Sequence, residues 1–228
     1  MVDAETAPFD DTGAGNENGA EIATIGDDLP IIAFTVRHDW PDNSSANQCR
    51  GTPVARHAYP PLDNLSPRLV EELRKRVAPD RGNVWKMLMW SPGMAEALID
   101  FNDAVRYKTS LSDSLRELII LRVGHLCEAD YEIHHHNRIA REIGISEELI
   151  AAPKVGASAP GLDTTQQLVL SLTDDLVKDR KASDNNLAQA IRVLGESGLN
   201  EIIMLVGCYV LACTLLRTWG VDIEHPRA

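Results

Sequence analysis

Cysteine is scarce. The chain of 228 residues has four, Cys49, Cys127, Cys208 and Cys213. That density excludes a disulfide-stapled scaffold, and no two of them stand in a Cys-x-x-Cys register. Cys208 and Cys213 are five apart and face each other poorly on a helix, and Cys127 reads as a small core residue. The four thiols are therefore not expected to form a redox resource. Positive charge is also short, with 22 Lys and Arg against 34 Asp and Glu and a net charge of −12. This balance argues against sequence-independent nucleic-acid binding, which needs a basic face. The N-terminus has neither a basic segment nor an apolar one behind it, so no secretory signal is expected. The longest apolar run, residues 202–216, has 15 residues between Glu201 and Arg217. A membrane span needs roughly 17–25. A buried core helix is the expectation there, with no membrane partner and a reducing, cytoplasmic setting. No alternating strand pattern of useful length and no internal repeat is found.

What is present is enough for one folded body. Hydrophobic residues make up 44% of the chain, which suits one domain with an added tail. Residues 1–28 read as a flexible acidic tail. The first 30 residues carry eight acidic side chains and no Lys or Arg, leaving −4 of the −12 to residues 31–228. Residues 29–62 are interrupted by Pro30, Pro41, Pro53, Pro60 and Pro61. They read as an extended Pro-rich arm that either wraps over a body or serves as a linker.

From residue 63 to residue 228 the signals are helical. Ser66-Pro67 caps a helix to about residue 77. Shorter pieces follow over 83–90 and 94–107. Ser112 or Ser114 caps a helix to about Cys127, and another spans about 130–143. A turn of helix starts at Ser146, and residues 153–161 form a loop. Thr164 to Gln167 resembles a capping box opening a helix to about residue 178. Ser183 or Asp184 caps one to about Gly195, and Gly198 breaks before a last helix over 200–219. The fold class expected is all-α, with helices packed around short loops.

The chemistry concentrates in residues 116–144. At 100° per residue, Ala129, Glu132, Ile133, Ile139, Ala140 and Ile143 fall within about 60° of His136. This is an apolar stripe carrying one His and one Glu, so His136 points inward with Glu132 one turn before it. His134 points outward, and His135 is peripheral. The preceding helix is apolar nearly all round, yet it carries Arg116, Glu117 and Arg122. Charges in such a helix must find partners.

These residues resemble the carboxymuconolactone decarboxylase family, which includes the alkylhydroperoxidase D-type proteins. Its redox members carry a Glu, eleven residues, then Cys-x-x-Cys-x-x-x-His. Laid on this chain, the Glu is Glu117 and the His is His136, while Ala129 and Glu132 occupy the two Cys positions. The segment is similar instead to the branch with a Tyr-Glu-aromatic-x-x-His pattern, matched by Tyr131, Glu132 and His136, with Ile133 at the aromatic position. Leu115 to Leu118, Ala140 with Gly144, Ile145-Ser146 and the helix bearing Tyr209 extend the likeness over residues 83–224. The resemblance implies the all-α carboxymuconolactone decarboxylase-like fold and a homo-oligomer, a trimer or hexamer.

A cofactor-free decarboxylase, lyase or isomerase is expected, acting on a small carboxylated ring or lactone, as in aromatic catabolism. His136 is the candidate general acid/base, tunable near neutrality. Glu117 and Glu132 are its candidate partners. Tyr131, Arg122, Trp85 and Trp90 are candidate substrate-binding residues for a small anionic organic substrate, with Arg122 holding its carboxylate. No cofactor or metal is expected. Consecutive His residues on a helix diverge, and no HExxH or Cys/His cluster is present. Other readings remain. Glu117 can be the third residue of a capping box begun by Ser114. Glu132 and His136 can be a structural pair in a non-catalytic or ligand-binding member. A peroxidase is disfavoured by the missing Cys-x-x-Cys pair.

Overall fold

A computed structural model describes residues 55–224, together with the backbone of two three-residue strands, β1 (Ile22–Thr24) and β2 (Pro30–Ile32). The chain divides into two units, Met1–Gly51 and Thr52–Ala228. In the first, β1 and β2 pair antiparallel with Ile22 opposite Ile32 and Thr24 opposite Pro30. This hairpin straddles the boundary drawn at residue 28, and most of the expected tail and arm lies outside the described residues.

The second unit is helical. Among the described residues its elements are α1 (Pro67–Arg76), α2 (Asn83–Leu88), α3 (Pro92–Tyr107), α4 (Asp113–Leu126), α5 (Asp130–Glu142), α6 (Glu147–Val155), α7 (Thr164–Lys178) and α8 (Asp184–Trp219). Serine hydroxyls cap four of them: Ser66, Ser112, Ser146 and Ser183 each accept from a backbone N–H three residues on, at 3.3 Å. Because Ser112 is the cap of α4, the third helical position is Leu115 and not Glu117. The capping-box reading of Glu117 is thereby removed. The box on α7 starts one residue earlier than expected, with Asp163 accepting from Gln166 N at 2.8 Å and its own N–H donating to Gln166 Oε1 at 2.9 Å. A carboxylate suits the positive end of a helix better than the neighbouring threonine hydroxyl.

Two boundaries differ from expectation. α8 is interrupted at Gly195, the expected helix end, whose φ of 71° only glycine adopts freely, and Gly198 lies inside the helix instead of breaking it. α6 runs through Pro153 instead of ending before it. The carbonyls at that helix end would otherwise lack donors. Arg122 supplies one, donating from Nη1 to Pro153 O at 2.9 Å. Gly156, at φ 100°, lets the guanidinium in, since a Cβ there would lie 2.8 Å from Arg122 Nη2.

α4 is the centre of the body and packs on α5, α6, α7 and α8. Leu118, Ile119, Ile120, Leu121 and Val123 are all buried, as its all-round apolar sequence requires. Gly124 admits α5 closely: a Cβ there would sit 3.2 Å from Ile133 Cγ1. α8 is long and apolar enough to cross a membrane by length and composition alone. Here it packs on α3, α4 and α7, with Ile202, Leu205, Tyr209, Cys213 and Leu216 in the core.

Candidate active site

α4 and α5 are joined by a tight turn in which Glu128 takes a left-handed φ of 52°. The turn and the Gly124 contact set the two helices side by side. Glu117 on α4 and His136 on α5, 19 residues apart, then meet: His136 Nδ1 lies 2.6 Å from Glu117 Oε2. Glu117 is fully buried, and His136 is 5% exposed. On the other side of the ring, Nε2 lies 3.3 Å from Glu132 Oε2. The Tyr209 ring meets the imidazole edge-on, with centroids 5.2 Å apart.

The two carboxyls differ in character. Burial pushes Glu117 up, but the His136 charge and hydrogen bond, helped by Arg106 and Arg116, hold it below the usual carboxylate value. Glu117 is therefore an ionised acceptor, and the Nδ1–H of His136 donates to it. Burial dominates at Glu132 and raises it, with His136, His135 and Arg106 opposing. Glu132 therefore holds its proton more readily than an ordinary carboxyl does, 3.3 Å from His136 Nε2. Glu117 Oε1 is buried without a hydrogen-bond partner, 3.6 Å from Arg116 Nε.

The imidazole and Glu132 open on a cavity of about 250 Å³. Trp85, Leu88, Leu98, Ile139, Tyr209 and Leu215 form apolar wall, while Tyr131, His135, Asn102 and Arg106 add polar groups. Lys75, Arg76, Arg81 and Arg138 also line it. These four are engaged by acidic partners: Arg76 by Glu72 at 3.0 Å and Asp103 at 2.5 Å, Arg138 by Asp80 at 2.5 Å, Arg81 by Asp80 at 3.6 Å, and Lys75 by Glu72 at 3.2 Å. Arg106 has no ion-pair partner among the described residues, and its buried Nε lacks a hydrogen bond. It lies over the Tyr107 ring at 5.0 Å.

The expectation for Arg122 is corrected. Its guanidinium is held bidentately by Asp174, Nε to Oδ1 at 2.5 Å and Nη2 to Oδ2 at 2.8 Å, and it does not line the cavity. A buried arginine held in this way, outside the cavity, is not placed to receive a substrate. Arg106 is the cation placed where Arg122 was expected. Trp90 is likewise away from the cavity, 41% exposed beside His57 at 5.3 Å between ring centroids, whereas Trp85 lines it. Arg106 was missed although α3 carries a signal: Leu98, Asn102 and Arg106 recur every four residues, polar groups interrupting an inward face.

His135, expected to be peripheral, is buried and lines the cavity. It is held by Glu224, whose Oε2 lies 2.8 Å from His135 Nε2. Glu224 Oε1 accepts from Tyr131 OH at 2.8 Å and from Asn83 N at 2.5 Å. The segment after α8 thus ties the start of α2 to α5. Tyr131 lines the cavity, but its hydroxyl is committed to this clamp. Burial pushes Glu224 up, yet these donors outweigh it and hold the carboxyl at about 2, against an ordinary 4.5. The folded value lies below the unfolded one. The clamp therefore stabilises fully above about pH 4.5 and is lost as pH falls toward 2. Melting temperatures of the wild type are expected to drop more steeply than those of Glu224→Gln between about pH 5 and pH 3. Parallel slopes would contradict the clamp.

Among the described residues, no group of three or more His, Cys, Asp or Glu side chains is disposed to hold a metal ion. No functionally curated protein matches the sequence. Solved structures do. A peroxidase-related protein from Silicibacter sp. TM1040 superposes with a TM-score of 0.65 at 14% identity, over 79% of this chain and 96% of that one. An alkylhydroperoxidase AhpD core protein from Ralstonia eutropha JMP134, also described as peroxidase-related, gives 0.63 at 20% identity, over 78% and 94%. A protein of unknown function from Agrobacterium tumefaciens gives 0.57 at 18% identity, over 62% and 96%. At these identities the likeness establishes the fold alone. Residues 92–174, which hold Arg106, Glu117, Glu132 and His136, match the Carboxymuconolactone decarboxylase family. Over those residues the chain is similar to that family, and its all-α fold is that of the alkylhydroperoxidase D-like structures.

Proposed function

We propose that this protein is a cofactor-independent proton-transfer enzyme acting on a small carboxylated ring or lactone, by decarboxylation or isomerisation. The observation that supports this best is the order Glu117, His136 Nδ1, His136 Nε2, Glu132, ending at a cavity that also holds an unpaired arginine. Glu117 fixes the tautomer and supports the imidazolium. His136 Nε2, with Glu132 as proton reservoir, delivers a proton to substrate carbon or removes one. Arg106 receives the substrate carboxylate in its fork of donors. In a decarboxylation, the carbon–carboxylate bond breaks, its electrons delocalise into the ring carbonyl, and the proton from Nε2 completes the carbon.

A non-catalytic scaffold would be expected to have these groups fully paired and closed off, and the lined cavity favours an enzyme. The names of the similar structures suggest peroxide chemistry. Ala129 and Glu132 stand where that chemistry in this family needs its two thiols, so it is not proposed for this cavity. The protein is further proposed to form a homo-oligomer. Half-exposed Ile203, Met204 and Leu211 on α8 offer an apolar face for it, and light scattering would report the state.

The reading is tested with a panel of small carboxylated lactones and unsaturated cyclic acids, followed by CO2 release and ultraviolet absorbance. For a substrate found in this way, Arg106→Met is expected to raise KM about 10- to 100-fold, the loss of one charged hydrogen-bonding partner. An unchanged KM would remove Arg106 from the binding role. No turnover anywhere in the panel, with no carboxylate binding, would favour the scaffold.

A further inference from the structure

α8 presents Cys208, Tyr209, Ala212 and Leu215 to the cavity, residues that share one side of the helix. Tyr209 is 3% exposed, and its ring stands edge-on to His136, with centroids 5.2 Å apart and planes at 83°. That contact makes the ring part of the apolar wall. The hydroxyl is another matter. Among the described residues it makes no hydrogen bond, although buried tyrosine hydroxyls ordinarily have a partner. Nor is it a sealed-off polar atom of the kind found at Glu117 Oε1 and Arg106 Nε. A hydroxyl without a partner and not sealed off, on a buried residue that lines the cavity, opens on the cavity.

The other tyrosines contrast with it. Tyr131 also lines the cavity, but its hydroxyl donates to Glu224 Oε1 at 2.8 Å. Tyr59 donates to Asp222 Oδ1 at 2.6 Å, and Tyr107 is 64% exposed. Burial pushes the Tyr209 phenol well above its ordinary 10, against the opposing charge of Arg106, and the Glu132 and Glu117 carboxylates add to the rise. It therefore stays protonated and offers the cavity a neutral donor. The neighbours of that donor already have roles, His136 and Glu132 with the proton and Arg106 with the carboxylate. The remaining need is a group for the ring carbonyl oxygen, where negative charge collects when the carbon–carboxylate bond breaks.

We propose that Tyr209 is a catalytic residue whose hydroxyl donates a hydrogen bond to the carbonyl oxygen of the substrate and holds the enolate formed there. The proposal rests on the proton-transfer reading of this cavity. It narrows the substrate class to carboxylated rings with a carbonyl that can accept the electron pair, and excludes ring acids that have none. As carbon dioxide leaves, the bonding pair moves through the ring to the carbonyl oxygen, and the Tyr209 O–H supports it there without giving up its proton. The pair then returns to carbon, which takes the proton from His136 Nε2, and the imidazole regains a proton from solvent. One proton is consumed for each carbon dioxide released. In an isomerisation the same enolate forms when His136 removes the proton. A fixed donor aimed where charge develops acts more strongly on the transition state than on the bound substrate.

The test compares two small lactones on the full chain: tetronic acid, whose enol is ionised at neutral pH, and butenolide, which has the same ring and no charge. Both are titrated by calorimetry into wild type and Tyr209→Phe, a variant that keeps the ring against His136 and removes only the oxygen. Tyr209→Phe is expected to weaken tetronate binding about 10- to 100-fold, the loss of a hydrogen bond to a charged oxygen, and butenolide binding less than about threefold. On a panel substrate it is expected to lower kcat about 10²- to 10³-fold with KM little changed. Wild-type protein with bound tetronate is expected to show a new downfield hydroxyl proton resonance, which keeps the proposal open to refutation if the variant folds poorly. Equal losses for the two lactones, no loss for tetronate, or tetronate bound to wild type without that resonance would each overturn the role of Tyr209 and leave the proton-transfer reading in place. No binding of tetronate by wild type would overturn it as well, and the proton-transfer reading falls with it only if the lactone panel also gives no turnover.

Discussion

Replacing His136 with Gln lowers kcat on the panel substrate by about 10²–10⁴-fold, with KM changed little, if the imidazole is the proton donor at carbon. Gln fills nearly the same space and can still accept or donate a hydrogen bond. It cannot pass a proton between Glu132, which lies 3.3 Å from Nε2, and the substrate. The residual rate would reflect positioning by Arg106 and the apolar wall alone. The KM-against-kcat split distinguishes this role from packing. A merely structural His136 would, on replacement, lower the melting temperature and disturb KM as well as kcat.

Glu117→Gln should be nearly as damaging to kcat, by about 10² or more, though residue 117 never meets the substrate. Glu117 is fully buried, and its Oε2 lies 2.6 Å from His136 Nδ1. The carboxylate holds the imidazole in one tautomer and makes an imidazolium affordable in a place that is otherwise unfavourable for charge. A neutral amide preserves the shape and removes that support. The expected signature is a lower kcat with a shifted pH profile, since the Glu117 charge helps to raise Glu132 and its loss lets Glu132 fall. A profile identical to wild type would assign Glu117 to packing. Double replacement of His136 and Glu117 is expected to cost little more than His136→Gln alone, because the two act as a unit.

The parts of this site that lie within one helix were legible in the sequence. Glu132 and His136 are one turn apart on α5, and the apolar stripe around them dictated which way they face. The helix bearing Glu117 and Arg122 was recognisably buried, so both charges needed partners. Which partners they found was not legible. Nothing local distinguishes Arg122, consumed by Asp174 and the end of α6, from Arg106, left facing the cavity. That choice depends on how α3, α6 and α7 pack. Glu224 was missed for the same reason. It lies 89 residues from His135 and reaches it only because the segment after α8 turns back.

Solvent-deuterium incorporation into the product, followed by proton NMR in D2O, tests the central claim most directly. With wild-type protein and a panel substrate, one deuterium is expected at the carbon next to the substrate carbonyl, in a single configuration, as a proton delivered by one fixed imidazole requires. With His136→Gln, incorporation is expected to fall to the buffer rate and to lose its stereochemical preference. Deuterium entering at the wild-type rate and in the same configuration without His136 would contradict the account.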